Sequence, residues 1–196
     1  STGHGSLREP QNIASYAALC CIAIQSNQND QHGGQSIVNF DYGMAPGVAK
    51  SFVKFYREDL SHALELLAGL EDADEVAARL IAQVREETGM VPTLEEAPAF
   101  TEALLPHVCA LCGEDVARRA LSFAQARAIG QTDHATYKAM VALVHNLNTM
   151  HSRAGAQIPF SSINYGMDTS PEGRMVVKNL LLATEAGMGQ GETPIF

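Results

Sequence analysis

The sequence predicts an α/β protein, a barrel or a layered sheet, with a large helical insertion. Two short segments are expected to be strands, Ser36–Phe40 and Gln157–Gly166, and the second alternates apolar and polar residues as strands do. They flank a long middle region. In that region, residues 48–150, apolar side chains recur every three or four positions, which indicates helices. We therefore expect the order helix, polar loop, strand, long helices, strand, helix.

Composition restricts the class of protein. The 196 residues are 46% hydrophobic and 18% charged, which allows a buried core for one domain or a large part of one. The net charge of −9 disfavours a broad nucleic-acid surface. The longest apolar run, Tyr16–Ile24, is about half of the roughly 20 residues that a membrane span needs. We expect a cytoplasmic protein that binds neither nucleic acid nor membranes.

Both ends of the chain are abrupt. Ser1 is not an initiator Met, and Thr193–Phe196 has the character of a strand that is just beginning. We therefore expect residues 1–196 to be a single segment of a longer protein. It divides into residues 1–47 with the first helix and polar loop, residues 48–150 with the long helices, and residues 151–196 with the last strand and helix.

The first part contains three local signals. Asn12 can cap a helix that runs to about Gln25. A polar loop follows, and then the strand Ser36–Phe40. We expect a turn at Gly43–Gly47, because a proline and two glycines favour bends there.

Glycines and prolines divide the helical middle. Breaks are expected at Gly69, Pro92 and Pro98, and Gly130 marks the last one. A helix over residues 136–150 would follow, capped by Thr132 or Asp133.

The final helix has the strongest start signal. Ser170 can act as the N-cap, Pro171 suits the first helical position, and Glu172 lies in the first turn. The helix should end at the glycines at positions 187, 189 and 191.

The stretch Ser26–Gln35, SNQNDQHGGQ, places five amides, an aspartate and a histidine beside two glycines. Amides donate and accept hydrogen bonds together, so they suit the edges of an uncharged base, and glycine lets the backbone approach closely. An ordinary turn explains any two of these residues. The whole run favours a nucleotide-binding loop.

Two further segments have the chemistry of binding sites. Arg153 offers a planar, always charged guanidinium among small residues, although a solvated surface arginine is the simpler interpretation. Thr169–Gly173 combines hydroxyls with a helix N-terminus, which suits an anion, but Glu172 occupies part of the favourable field.

The cysteines do not form a recognisable metal or disulfide framework. His107, Cys109 and Cys112 supply three ligands at most, whereas a structural zinc site needs four. Cys20 and Cys21 are adjacent, so reduced thiols are expected. We find no catalytic triad, zinc-protease spacing or phosphate-loop motif, and we expect no metal and no catalytic residue in this segment.

Five stretches resemble the anaerobic (class III) ribonucleoside-triphosphate reductase family. They are STGHGSLREP, SNQNDQHGGQS, FDYGMAPGV, HNLNTMHSRAGAQIPFSSINYGMDTSPEGR and LLATEAGMGQGETPIF. The resemblance covers residues 1 to about 50 and 140 to 196 well, and the helical middle is similar only in kind.

The resemblance implies a glycyl-radical enzyme built on a ten-stranded α/β barrel, usually a homodimer. In that family a glycyl radical generates a thiyl radical on a cysteine, which removes the ribose 3'-hydrogen. Water then leaves from C2', and formate or a thiol reductant completes the deoxynucleotide. A separate activating enzyme, with an iron–sulfur cluster and S-adenosylmethionine, installs the glycyl radical. No residue here matches the family's reactive cysteines, its glycyl-radical loop or its zinc-binding C-terminal cysteines. We therefore expect this segment alone to have no catalytic activity.

The resemblance also implies an effector site, where ATP or a deoxynucleotide selects the base to be reduced. Expected effector contacts are Glu9, Gln25 and, for the phosphates, Lys54. The expected first specificity loop includes Asn27, Asn29, Gln31, His32, Gly33, Gly34 and Gln35. The expected second specificity loop includes Arg153, Ala154, Gly155 and Gln157. Expected contacts to the substrate phosphates are Thr169, Ser170 and Gly173.

Two other functions stay open at this point. The chain could be a standalone nucleotide-binding regulatory module, or residues 48–150 could form a helical dimerisation domain without catalysis.

Overall fold

A computed structural model describes residues 8–30, 34–95, 98–149 and 161–187. In chain order the elements are α1 (Ile13–Asp30), β1 (Gln35–Ile37), α2 (Phe40–Ala68), α3 (Ala73–Thr88), α4 (Pro98–Cys112), α5 (Glu114–Thr149), β2 (Ser161–Ile163) and α6 (Pro171–Ala186). The two strands pair in parallel. This mostly helical arrangement around a parallel strand pair confirms the predicted α/β class. The ten-stranded barrel stays a prediction, since the described residues contain two strands.

The helices α2 and α5 form the centre of the molecule. Each packs against the other and against α1 and α6, while α3 lies on α2 and α4 lies on α5. Small residues line the inner face of α5 at Ala117, Ala120 and Ala124, all fully buried. Large side chains of α2 are buried as well, such as Tyr56, which is 1% exposed. A parallel strand pair needs a long crossover connection, and this helical bundle provides it.

Local signals at several helix ends are confirmed. The Ser15 N–H donates to Asn12 Oδ1 at 2.8 Å, so Asn12 caps α1. The Gly173 N–H donates to Ser170 Oγ at 3.0 Å, and Pro171 takes the first position of α6. Gly69 ends α2 with a φ of 66°, in the left-handed region that favours glycine.

The predicted turn at Gly43–Gly47 is wrong, because α2 already begins at Phe40 and runs through it. Asn39 turns the chain from β1 into α2 with a left-handed backbone, φ 54° and ψ 46°. Pro46 removes one backbone hydrogen bond, but burial of Met44 and Val48 on the inner face favours the continuous helix. The expected division between residues 47 and 48 also falls inside α2.

The predicted break at Gly130 is also wrong. Residues 114–149 form one helix, and the chain breaks instead at Gly113, whose φ is 82°. Thr132 and Asp133 therefore lie inside α5 and cap nothing. A glycine within a helix costs about 0.5–1 kcal/mol relative to alanine. Burial of Ala128, Thr132 and the residues beyond them against α2 and α6 offsets that cost.

The boundaries of α1 and the strands differ from the sequence pattern. α1 extends five residues beyond Gln25, so the first half of the polar stretch is helical rather than a loop. β1 ends at Ile37 because Phe40 already starts α2. Of the expected strand Gln157–Gly166, Ser161–Ile163 forms β2, residues 164–166 lie beyond its end, and residues 157–160 lie outside the described residues.

Candidate functional site

The strand pair brings two distant polar segments to one place. Gln35, the last residue of the first polar stretch, lies opposite Ser161, and Ile37 lies opposite Ile163. Gln157 precedes Ser161 by four residues, so the Arg153 segment leads into β2 at the same end at which the first stretch leads into β1. The amino ends of both strands therefore lie side by side, and in the sequence each strand is preceded by one of the two predicted specificity segments.

The predicted residues of the first specificity loop are only partly described. Asn27 is exposed in the last turns of α1, Asn29 lies in the same turns, Gly34 is exposed and Gln35 is half-buried in β1. The other predicted residues of the first loop lie outside the described residues: Gln31, His32 and Gly33. All predicted residues of the second loop lie outside them too: Arg153, Ala154, Gly155 and Gln157.

Glu9, a predicted effector contact, forms an ion pair with Lys50 of α2. Lys50 Nζ lies 2.7 Å from Glu9 Oε1 and also donates to the Pro10 carbonyl at 3.0 Å and to the Tyr16 hydroxyl at 3.2 Å. The hydrogen bond and charge of Lys50 lower the pKa of Glu9, and the same hydrogen bond raises the pKa of Lys50. Lys54 is exposed one turn further along the same side of α2.

Gln25 lies away from this ion pair. It follows Tyr16, which touches Lys50, by nine residues of α1. That spacing is about 14 Å along the axis and about half a revolution around it. Within one chain, Gln25 therefore belongs with the amide-rich end of α1 and β1, whereas Glu9 and Lys50 form a separate polar group at the start of α1.

At the opposite end of the strand pair, α2 holds the segment that follows β2. Both the Gly166 N–H and the Asp168 N–H donate to Asp41 Oδ2 at 2.9 Å. The Tyr42 hydroxyl donates to the Met167 carbonyl, also at 2.9 Å. Two consecutive residues of α2 thus bind three consecutive residues beyond β2.

The environment of Asp41 favours its charged form. Asp41 is fully buried, and burial alone would raise its pKa. The backbone N–H groups of Asp168, Gly166, Tyr42 and Asp41 itself outweigh that effect and lower the pKa. Asp41 is therefore a carboxylate at neutral pH.

The predicted phosphate residues lie around the start of α6, which already holds a carboxylate. The Ser170 N–H donates to Asp168 Oδ1 at 2.8 Å, and the Gly173 N–H donates to Ser170 Oγ. A Cβ at Gly173 would collide with the Asp168 side chain. Thr169 is exposed beside them. A phosphate at this position would have to share the helix N-terminus with Asp168.

In each cysteine pair the environment favours a protonated thiol. All four cysteines are free. Burial raises the pKa of Cys20 to about 11, and it raises the pKa of Cys112, in the last turn of α4. Among the described residues, no three His, Cys, Asp or Glu side chains are placed to hold a metal ion. Nor does any helix in the described ranges have the length and apolar character to cross a membrane.

Sequence reasoning missed Asp41, Tyr42 and Lys50. Asp41 and Tyr42 lie in the FDYGMAPGV stretch, one of those that resemble the reductase family. A turn was expected there, so the start of α2 at Phe40 was not predicted. Lys50 and Lys54 are one helical turn apart, so periodicity alone does not distinguish between them. Only the packing of α1 against α2 places Lys50 at Glu9.

Two comparisons address the identity of the chain. No curated protein matches it. The family model for anaerobic ribonucleoside-triphosphate reductase matches residues 1–196, the whole sequence. The chain therefore belongs to the anaerobic ribonucleoside-triphosphate reductase family.

Proposed function

We propose that this chain carries the effector-specificity and substrate-side elements of an enzyme that reduces ribonucleoside triphosphates to deoxyribonucleoside triphosphates by glycyl and thiyl radical chemistry. Family membership supports the reaction class. The radical glycine, reactive cysteines and zinc belong to parts of the enzyme outside this segment. The described cysteines do not fit a zinc site, so no step here involves that metal. Formate or a thiol supplies the reducing equivalents.

The observation that carries this proposal is the parallel pairing of β1 and β2. Both predicted specificity segments lead into the amino ends of these strands, where Gln35 lies opposite Ser161. The segment Gly166–Gly173 follows the carboxyl end of β2. Three residues of strand span about 10 Å. Ligands of parallel α/β sheets bind at the carboxyl ends of the strands, so we place the substrate at that end. The amide-rich stretch leads into the start of β1, so we place the effector at the amino end.

This arrangement gives each polar group a chemical role. The amides at the end of α1 and in β1 read or support the effector base, and Arg153 reports which base is bound. Lys50 and Lys54 offer positive charge for effector phosphates, although Lys50 is paired with Glu9. Gln25 and Glu9 are separated along α1, so we place the effector between two copies of the chain, as in a homodimer, where it contacts Gln25 of one copy and Glu9 of the other. The substrate phosphates lie near Thr169 and Ser170.

Titration calorimetry of this chain with dATP, dTTP and dGTP, alongside its mass in solution, tests the effector site. We expect saturable binding by a dimer, and weaker binding in Gln25→Ala and Glu9→Ala with the helices intact. Gln83→Ala is the matched control, because Gln83 is an amide of α3 whose side chain donates to Glu87 in the same helix. Unchanged affinity in both site variants would contradict the placement of the effector.

The specificity role is tested in the complete reductase. Arg153→Ala should retain effector binding but lose effector-dependent choice of substrate, a coupling worth about 1–3 kcal/mol. If Arg153→Ala keeps the wild-type substrate preference with every effector, the segment does not transmit effector identity.

A further inference from the structure

The start of α2 binds the chain beyond β2 with a buried carboxylate. Asp41 is 0% exposed, and its Oδ2 accepts both the Gly166 and the Asp168 N–H, which lie 125 and 127 residues away in sequence. The backbone adds a second link, because the Phe40 N–H donates to the Asn164 carbonyl at 3.0 Å. The β1–α2 junction and the segment after β2 therefore form one hydrogen-bonded unit.

We propose that Asp41 is a positioning residue that couples the first specificity stretch to the substrate-binding turn, here residues 166–173. This inference rests on the proposed function, since it assumes that the turn faces the substrate. It adds a residue that acts on the substrate only through the turn it holds.

The hydrogen bonds continue from Asp41 to the first turn of α6. Asp41 holds the Asp168 N–H, the Asp168 carboxylate accepts from the Ser170 N–H at 2.8 Å, and Ser170 Oγ accepts from the Gly173 N–H at 3.0 Å. Gly173 has no room for a Cβ against Asp168. Displacement of Asp41 would therefore displace Thr169, Ser170 and the helix N-terminus together.

Asp41 also lies close in sequence to the first specificity stretch, so a displacement of that stretch would displace Asp41. It follows β1 by four residues, and β1 begins at Gln35. The intervening Asn39 holds a left-handed conformation, and the Asn164 N–H donates to the Ile37 carbonyl at 2.8 Å. A shift of β1 caused by a base at the amide-rich stretch is thus passed through Asp41 to the turn.

The geometry suggests a conservative replacement. A single oxygen, Oδ2, receives both backbone N–H groups, while among the described residues Oδ1 has no hydrogen-bond partner. An asparagine can place its carbonyl oxygen at the Oδ2 position and keep both bonds. Alanine loses both. Comparison of Asp41→Asn with Asp41→Ala therefore separates the hydrogen bonds from the presence of a charge.

The test uses the complete reductase. Asp41→Ala should raise KM for the ribonucleoside triphosphate by about tenfold, the loss expected for hydrogen bonds to a charged group. The effector Kd should stay the same, while the effector no longer shifts substrate preference. Asp41→Asn should restore most of both properties. Hydrogen exchange at the Gly166 and Asp168 amides should be faster in Asp41→Ala than in wild type and Asp41→Asn.

Two further variants keep the test decisive. Tyr42→Phe removes only the exposed bond to the Met167 carbonyl and should raise KM by about threefold without loss of folding. Asp59→Asn is the matched control, since Asp59 is also a buried aspartate of α2 but lies 18 residues further along the helix. It should leave KM and effector response unchanged.

The possible failures are distinct. If wild-type enzyme does not reduce ribonucleoside triphosphates, the proposed function is wrong. If it does, but Asp41→Ala and Tyr42→Phe show unaltered KM and effector response and the Gly166 and Asp168 amides stay protected, the positioning role is overturned. Equal losses in Asp59→Asn would also overturn it, because they would reflect general destabilisation.

Discussion

Replacement of Gly47 by alanine tests how tightly α1 crosses α2. A Cβ at Gly47 would lie 2.8 Å from Tyr16 Cδ2, 2.9 Å from Tyr16 Cγ and 3.1 Å from Ile13 Cα. The Ile13 atom is backbone, and the Tyr16 ring is held by its hydroxyl contact and by its packing against Lys50. Neither neighbour can yield without a shift of the whole helix α1.

Two opposing effects determine how much Gly47→Ala changes the free energy of unfolding. Alanine favours a helix interior over glycine by about 0.5–1 kcal/mol. Overpacking at a close contact typically costs about 1–3 kcal/mol. Since the clash involves both a backbone atom and a held ring, the steric effect should exceed the gain in helix propensity. We expect Gly47→Ala to lower the free energy of unfolding by about 1–2 kcal/mol.

Urea denaturation followed by circular dichroism measures this loss, and the Tm should fall by about 2–4 °C per kcal/mol for a chain of this size. Gly43→Ala is the matched control in the same helix, because nothing lies within 4 Å of its Cβ position. It should raise stability by up to about 1 kcal/mol. If Gly47→Ala stabilises the protein as much as Gly43→Ala does, the close crossing of α1 and α2 is incorrect.

Two further predictions concern buried polar groups. Burial raises the pKa of Asp59, although Arg127, whose Nε lies 3.4 Å from Asp59 Oδ1, opposes the effect. The stability that comes from this raised pKa is present at low pH and is lost as the pH rises through the pKa of the folded state. Asp59→Asn should therefore increase the free energy of unfolding more at about pH 7 than at about pH 4. A gain of equal size at both pH values, measured by urea denaturation, would refute this. Ser51 Oγ accepts from the buried Ile13 N–H at 3.0 Å, so Ser51→Ala should cost about 1–3 kcal/mol in the same assay. The exposed Ser122→Ala should change stability by less than about 0.5 kcal/mol, and an equal loss in both variants would exclude a specific role for Ser51.

The sequence predicted those features that depend on neighbouring residues. Asn12 and Ser170 cap their helices because a cap is a bond to a backbone N–H three residues away. Gly69 ends α2 because glycine adopts the left-handed conformation of this helix cap without a steric cost. Family membership was likewise available from long local motifs, and the match over residues 1–196 confirms it.

Long-range packing decided the features that the sequence pattern missed. Local propensity favours a bend at Gly43–Gly47 and a break at Gly130, yet both segments are helical because their apolar faces are buried in the bundle. Glycine inside a helix costs about 0.5–1 kcal/mol and a proline such as Pro46 costs about 3 kcal/mol. The burial of several core side chains, each worth about 1.5–3 kcal/mol, is larger than these costs together.

The candidate site shows the same division. The sequence by itself determined the family, the polar stretches that belong to the predicted nucleotide site and the start of α6. Only the tertiary structure placed Gln35 opposite Ser161, paired Glu9 with Lys50 rather than Lys54, and brought Asp41 to Gly166 and Asp168. The physical reason is that these contacts join residues far apart in sequence, where no local spacing specifies a partner and only the crossing of packed elements does.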